Sequence, residues 1–228
     1  MIPDSRRKVN ALFKAKQFLA GLPLAASDAH ASWRMLIQPE RLEQLCGAAG
    51  RGLLPEPFAP FRAAYAEAEG LDDLDRFLYV DFKTWLVDDI LVKVDRASMN
   101  HGLEVRSPFL DHRLVEFCTA VSAGYKLRGT TGKYLLRRLA ENAVPTSALR
   151  RKKAGFNAPV SDWLHGPWRE LAEVFLGPSK IEAIGFLDPK PIQSMLSEHF
   201  SRRRDHGHFL FSLLMLSMWV DRVQPTPP

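Results

Sequence analysis

Val87-Asp-Asp-Ile-Leu-Val-Lys-Val-Asp-Arg-Ala-Ser-Met-Asn-His-Gly-Leu-Glu-Val-Arg-Ser-Pro-Phe-Leu-Asp111 is followed by Gly132-Lys-Tyr-Leu-Leu-Arg137 and then by Arg151-Lys-Lys-Ala-Gly-Phe-Asn-Ala-Pro159. Carboxylates at Asp88, Asp89, Asp95, Glu104 and Asp111 stand there among side chains suited to burial, as do cations at Lys93, Arg96, Arg106, Lys133, Arg151 and Lys153. Buried charges of both signs need partners. A fold that accepts their cost usually does so where it handles charged substrates or metal ions, so the functional site is expected in this segment.

Outward from that stretch the periodicity is helical. Leu74, Phe77, Leu78, Phe82, Trp85 and Leu86 predict an amphipathic helix of about four turns, and Asp88 starts or continues the next through Met99. Val9, Leu12, Phe13, Lys16 and Leu19 predict a first helix from Pro3 to Ala20, closed by Gly21-Leu22-Pro23. Ser27 and Asp28 are placed to cap a second helix through Ile37, and Pro39 to open a short third. Gly47 to Pro60 reads as a breaker-rich loop. Further helices are expected over Leu110–Val121, Gly132–Asn142, Ser161–Phe175, Lys190–Phe200 and Phe209–Val223. Extended chain is expected only at Leu103–Val105 and near Leu127. The expected class is therefore mainly α.

A chain of 228 residues with 46% hydrophobic and 25% charged residues can bury its own core, and one domain over 1–228 is the economical reading, with Gln224–Pro228 a disordered tail. Cys46 and Cys118 have neither metal-ligand spacing nor a secretory context, which makes them thiols of a reducing compartment. Met1 to Leu24 carries no secretory pattern, so the cytoplasm is expected. The apolar run Phe209–Val220 falls short of the roughly 20 residues of a membrane span. A net charge of +5 raises nucleic acid as a partner. The basic clusters at Arg6–Lys8, Arg150–Lys153 and Arg202–Arg204 lack the interleaved glycines and aromatics that RNA-binding strands need, so that partner is not expected.

Each polar residue of the segment has a bland reading beside its functional one. Asp89 and Lys93, four apart, suit a plain intrahelical ion pair worth about 0.5 kcal/mol. Glu104 and Arg106 flank Val105 and would share a face of extended chain, ready to pair with Lys93, Arg96 or Asp111. With Asp95 and Arg96 they read as a structural charge network. Asp111 precedes a helix and is placed to cap it. His101 and His112 lack the context of a zinc pair.

The three blocks together resemble the asparagine synthetase family, glutamine-dependent ligases that amidate a carboxylate at the expense of ATP. The likeness is to the C-terminal part of the synthetase domain, with a motif core over 71–223, and departs from it in carrying Leu86-Val87 where relatives often have Leu-Pro. It implies the helical C-terminal portion of an α/β adenine-nucleotide-binding domain whose parallel sheet is missing here. Neither the Ser-Gly-Gly-x-Asp-Ser pyrophosphate loop nor the Gly-Glu-Gly-x-Asp-Glu motif of that family occurs in the chain, and the glutaminase half with its N-terminal cysteine is absent as well. The expected partner is that missing N-terminal synthetase and glutaminase portion, in cis or in trans, and the expected substrate a small carboxylate such as aspartate.

The resemblance implies ATP and Mg²⁺ in the intact enzyme, with none bound by this chain alone. It implies Lys153 as the catalytic cation, with Gly155 allowing close approach, Lys133 and Asp89 as phosphate- or substrate-binding residues, and Asp89 with Asp88 as Mg²⁺ ligands. The competing expectation is a non-catalytic helical remnant or assembly module that keeps the packing residues alone.

Overall fold

Helical periodicity carries through to the structure, a computed structural model that describes residues 11–151 and 158–223. In chain order these form α1 (Ala11–Gly21), α2 (Ala26–Arg34), α3 (Pro39–Leu45), α4 (Ala48–Arg51), α5 (Ala59–Glu67) and α6 (Asp73–Asp81). A π-helical segment, Phe82–Leu91, leads into α7 (Val92–Met99), and a 3₁₀ turn, Pro108–Leu110, into α8 (His112–Ala120) and α9 (Ala123–Lys126). A hairpin of β1 (Leu127–Arg128) and β2 (Thr131–Gly132) precedes α10 (Tyr134–Ala140) and α11 (Thr146–Arg150). The chain then continues through α12 (Val160–His165), α13 (Arg169–Phe175), α14 (Pro178–Ala183), α15 (Pro189–Phe200) and α16 (Gly207–Val223). The described residues are thus mainly α, and the hairpin, antiparallel with Leu127 opposite Gly132, is their one sheet.

The chain divides into two units, Met1–Phe58 with Phe156–Pro228, and Ala59–Gly155. The first, discontinuous unit has a closed core. Ile192, Met195 and Leu196 of α15 and Leu210, Leu213 and Leu214 of α16 repeat at helical spacing and are buried together with Leu164, Leu176 and Ile181. The last carbonyls of α13, which have no partner within the helix, are satisfied by its neighbours: Ser217 Oγ donates to Phe175 O at 2.6 Å and Gln193 Nε2 to Leu176 O at 2.6 Å. One helix was expected over Ser161–Phe175, but Gly166-Pro167 splits it into α12 and α13, because proline supplies no N–H to the ladder. Trp163 and Trp168 pack across the break at 4.6 Å. The end of α3 is pinned to the 186–188 segment by Asp188 N–H to Leu45 O (2.8 Å) and Gly47 N–H to Phe186 O (3.0 Å).

Two local expectations in this unit are corrected. The N-cap of α2 is Ala25, not Ser27 or Asp28; the extended backbone at Ala25 starts the helix earlier, and Asp28 sits in its first turn, where it complements the dipole. Part of the expected loop 47–60 is helical, in α4 of this unit and, in the second unit, the start of α5.

The second unit is built around α6, whose Asp72 cap accepts from Asp75 N–H at 2.9 Å. Tyr65 packs edge-on against Phe77 at 5.9 Å, and burial pushes its phenol up to about 12. The expected α-helix through Leu86 instead winds as a π-helix from Phe82. Thr84 Oγ1 donates to Val80 O at 2.7 Å, and such a hydroxyl inserted into the carbonyl ladder is a known cause of interrupted α-winding. Lys126 reaches back from α9 to pair with Asp75 and donates to Thr119 O at 3.1 Å. Ala64, Ala68 and Val80 are buried here, but no described side chain from Asp81 to Leu149 is.

Candidate functional site

The polar block lies in the second unit, carried by the π-helical segment, α7, the turn after it and the start of α8. Residues 103–107 run without a strand partner, so the extended segment expected at Leu103–Val105 is not part of a sheet. An open groove of about 730 Å³ forms there, with Leu91, Val94 and Val105 as apolar lining and Asp95, Glu104 and Asp111 as polar lining. Arg106 also lines it and forks onto Glu104.

Asp111 caps α8, accepting the Arg113 N–H at 3.0 Å, and its carboxylate also pairs with the Arg113 guanidinium at 3.0–3.1 Å. That pairing holds the Asp111 carboxyl below its usual value. Asp89 is held twice: Trp85 Nε1–H donates to its Oδ2 at 2.8 Å, and Lys93 Nζ lies 3.7 Å from its Oδ1. Trp85 reads as a core residue in sequence because its spacing fits the apolar stripe. Its place one helical step before Asp89 was the signal that it could also serve the carboxylate.

The charges of this block are exposed, which corrects the expectation of burial. Glu104 and Arg106 keep 67% and 88% of their side-chain surface, and Asp89 and Lys93 keep 53% and 62%, because no element of the unit covers them. Asp88, Asp95 and Arg96 are exposed as well. The structure gathers Asp95, Glu104, Arg106 and Asp111 around one groove. Asp88, Asp89, Arg96 and Lys133 do not line it.

Lys133 stands between β2 and α10 in the left-handed region at φ 56°, a conformation that side-chain-bearing residues take at a cost. Around it Arg137 Nε donates to Gly132 O (3.2 Å), and Arg128 Nη1 to Tyr134 Oη (2.7 Å). The Lys133 ammonium makes no ion pair among the described residues. Lys153 and Gly155 lie outside the described residues, as does the tail 224–228.

Whether these residues suit Mg²⁺ is decided by convergence. Asp88 and Asp89 are adjacent on a helical segment and diverge, so they do not close on one ion. Asp89 retains acceptor capacity beside the indole bond and suits a Mg²⁺ ion that takes its other ligands from phosphates and water, in competition with Lys93. Among the described residues no group of three His, Cys, Asp or Glu side chains could hold a metal ion. No helix among them is long and apolar enough to cross a membrane.

Residues 3–221 match the family model described as asparagine synthase. A putative asparagine synthetase [glutamine-hydrolyzing] of Mycobacterium tuberculosis is 39% identical over 156 residues, 68% of this chain and 24% of the relative. Asparagine synthetase [glutamine-hydrolyzing] 1 of Bacillus subtilis is 31% identical over 155 residues, again 68% and 24%. A more distant likeness, 26% over 119 residues, is to the amidase chyE of Penicillium rubens, covering 50% of this chain and 18% of that protein. The chain therefore spans about a quarter of the length of the curated relatives it matches most strongly. No solved structure matches it significantly.

Proposed function

The chain belongs to the asparagine synthase family, and from that premise we propose that residues 1–228 are the C-terminal part of a cytoplasmic ATP-dependent amide ligase, completed by an N-terminal synthetase and glutaminase portion in cis or in trans. One observation carries this reading. The unit that bears the first two polar blocks leaves most of their described charges and the apolar side chains around them uncovered, as expected of a surface that a nucleotide-binding sheet completes.

In the completed site a carboxylate oxygen of the substrate, aspartate's side chain in the type case, attacks the α-phosphorus of ATP and pyrophosphate leaves. Ammonia drawn from glutamine then attacks the acyl carbon and AMP leaves. Both steps build negative charge. A fixed ammonium at Lys153 stabilises that charge more in the transition state than in the ground state, and Lys133 adds a second cation for phosphate or substrate. Asp89 would supply one carboxylate to the Mg²⁺ that accompanies ATP, and Trp85 would orient it. Asp95, Arg96, Glu104, Arg106 and Asp111 set the path of the segment between α7 and α8.

The test joins this chain to a synthetase segment that carries the Ser-Gly-Gly-x-Asp-Ser loop and follows pyrophosphate release with ATP, Mg²⁺, aspartate and ammonia. The joined protein turns over and the chain alone stays at background. Lys153→Ala lowers kcat about 10²- to 10³-fold, the scale of losing one oxyanion donor, with little change in KM. Full activity of that variant removes the assignment. The self-contained core of the first unit favours a second reading, an assembly module without a reaction of its own; a joined protein that binds its partner segment but stays at background decides for it.

A further inference from the structure

Away from the polar block, the turn between α15 and α16 gathers titratable groups that the proposed chemistry does not use. His199, at the end of α15, is 1% exposed. Its Nδ1 accepts the His206 backbone N–H at 3.3 Å, which puts the ring proton on Nε2. Nε2 has no hydrogen-bond partner, and it is the one such buried side-chain atom among the described residues. The ring stacks on His165 of α12 at 4.4 Å.

The same turn fastens α16 to α12. Asp205 Oδ1 accepts from Ser161 Oγ and from Gly207 N–H, both at 2.8 Å, and His206 Nε2 meets Glu198 Oε2 at 2.6 Å. Gly207 lies so close that an added Cβ would fall 2.8 Å from Ser161 Cα, so the two helices meet backbone to side chain with nothing between them.

We propose that this turn is a proton-operated clasp: with His199 neutral it holds the start of α16 against α12, and uptake of one proton by His199 releases that contact while the rest of the first unit stays folded. The acid enters at Nδ1, the atom that now accepts the His206 N–H. Protonation turns that acceptor into a donor facing another donor and leaves a charge in a buried ring whose other nitrogen is already unpartnered.

The surroundings decide which way this leans. Burial pushes His199 below its ordinary value, and the neighbouring imidazoles of His165 and His206 add to that. Asp205, 3.6 Å from Nδ1, pulls the other way, as does the Ser161 backbone, but Asp205 is already shared between two donors and does not overcome burial. From the remaining elements, Glu198 is committed to His206, with Arg204 and Arg41 acting on it, His208 acts on Asp205, and the Arg169 guanidinium of α13 sits over Phe200 at 4.5 Å. The closed clasp therefore binds its proton less readily than the open one. Its stability is complete above pH 6.5, the ordinary histidine value, and is lost as pH falls from there toward the depressed value of the closed state. Glu198 and Asp205 are held below the usual carboxylate range, so their contribution is lost only at lower pH.

The test uses the full chain and does not depend on ligase activity. Ring resonances follow the titration of His199, and amide exchange, corrected for its intrinsic pH dependence, follows the first turn of α16, where Leu210 N–H donates to His206 O at 2.9 Å. The expected result is a His199 midpoint below 6.5 and protection of Leu210 that falls by up to about tenfold per pH unit between 6.5 and that midpoint, the limit for uptake of one proton. Amides of α13 stay protected, and His199→Gln, which keeps an acceptor but does not titrate, makes Leu210 protection flat across the same range. A midpoint at or above 6.5 in the unmodified chain overturns the clasp. So does an equal loss of protection in α13, or an unchanged slope in the variant.

Discussion

The two units of this chain use the same helical alphabet to opposite ends. In the first, fourteen buried residues from α3, α12–α16 and the segments next to them form one continuous core, and even the free carbonyls at the end of α13 are bonded by side chains from the helices beside it. In the second, Phe109, Phe117, Leu103 and Leu139 each keep 60% or more of their surface, and every described charged group from Asp88 to Arg106 is exposed, with Asp111 half-buried. An apolar stripe is an instruction to bury, and burial follows only where a facing element exists. The unit that carries the polar blocks at 87–111 and 132–137 is the one whose facing element is not among the described residues.

That contrast shows most strongly in core truncations. Leu164 is fully buried in α12, and Leu164→Ala is expected to cost about 2–5 kcal/mol through lost transfer energy and a residual cavity. Leu139 keeps 68% of its surface, and Leu139→Ala is expected to change stability by no more than about 0.5 kcal/mol in this chain. Denaturant unfolding of both variants checks this. Equal costs would break the comparison, because they would mean that the second unit is covered in solution by something such as a second copy.

A smaller effect sharpens the comparison from inside the second unit. Lys126 and Asp75 form its best-shielded ion pair among those described, with 17% and 20% of their side chains exposed, and the pair ties α9 to α6. Between the near-zero value of surface pairs and the several kcal/mol of buried ones, Lys126→Met is expected to cost about 1–2 kcal/mol. The loss should appear as earlier exchange of α9 and hairpin amides, with α15 and α16 unaffected. Loosening that spread into the first unit would show that the two units unfold together.

Much of the secondary structure was legible in the sequence, for identifiable reasons. Pro39 opens α3, Asp111 caps α8, and α15 and α16 follow their apolar spacing, because each of these signals is local. The π-winding of Phe82–Leu91 was not legible. Its apolar residues fit an α-helix equally well, and the bond from the Thr84 hydroxyl to the Val80 carbonyl at its start is not marked by any spacing. Helix α5 was hidden by the prolines and glycines before it, and α14 is too short to show a period. The contact of Asp89 with Trp85 could be read only as a possibility, since the same spacing serves a core stripe. Burial of the charges was expected from their apolar neighbours. That inference needs a covering element, and sequence alone does not say whether this chain carries it.

The smallest expected effect falls on the pair for which burial was expected. Glu104 and Arg106 fork together but remain mostly in water, where screening and side-chain entropy offset most of the attraction. Glu104→Gln is therefore expected to shift the stability of this chain by no more than about 0.5 kcal/mol. The same substitution after joining the upstream synthetase segment should cost more, approaching the roughly 3 kcal/mol of an ion left without its partner in a buried site. Melting curves of the variant in both contexts measure the difference directly, and the difference carries the information. A cost that rises on joining places the upstream segment over Glu104, whereas a cost that stays near zero in both leaves the groove open to solvent and returns Glu104 to an ordinary surface pair.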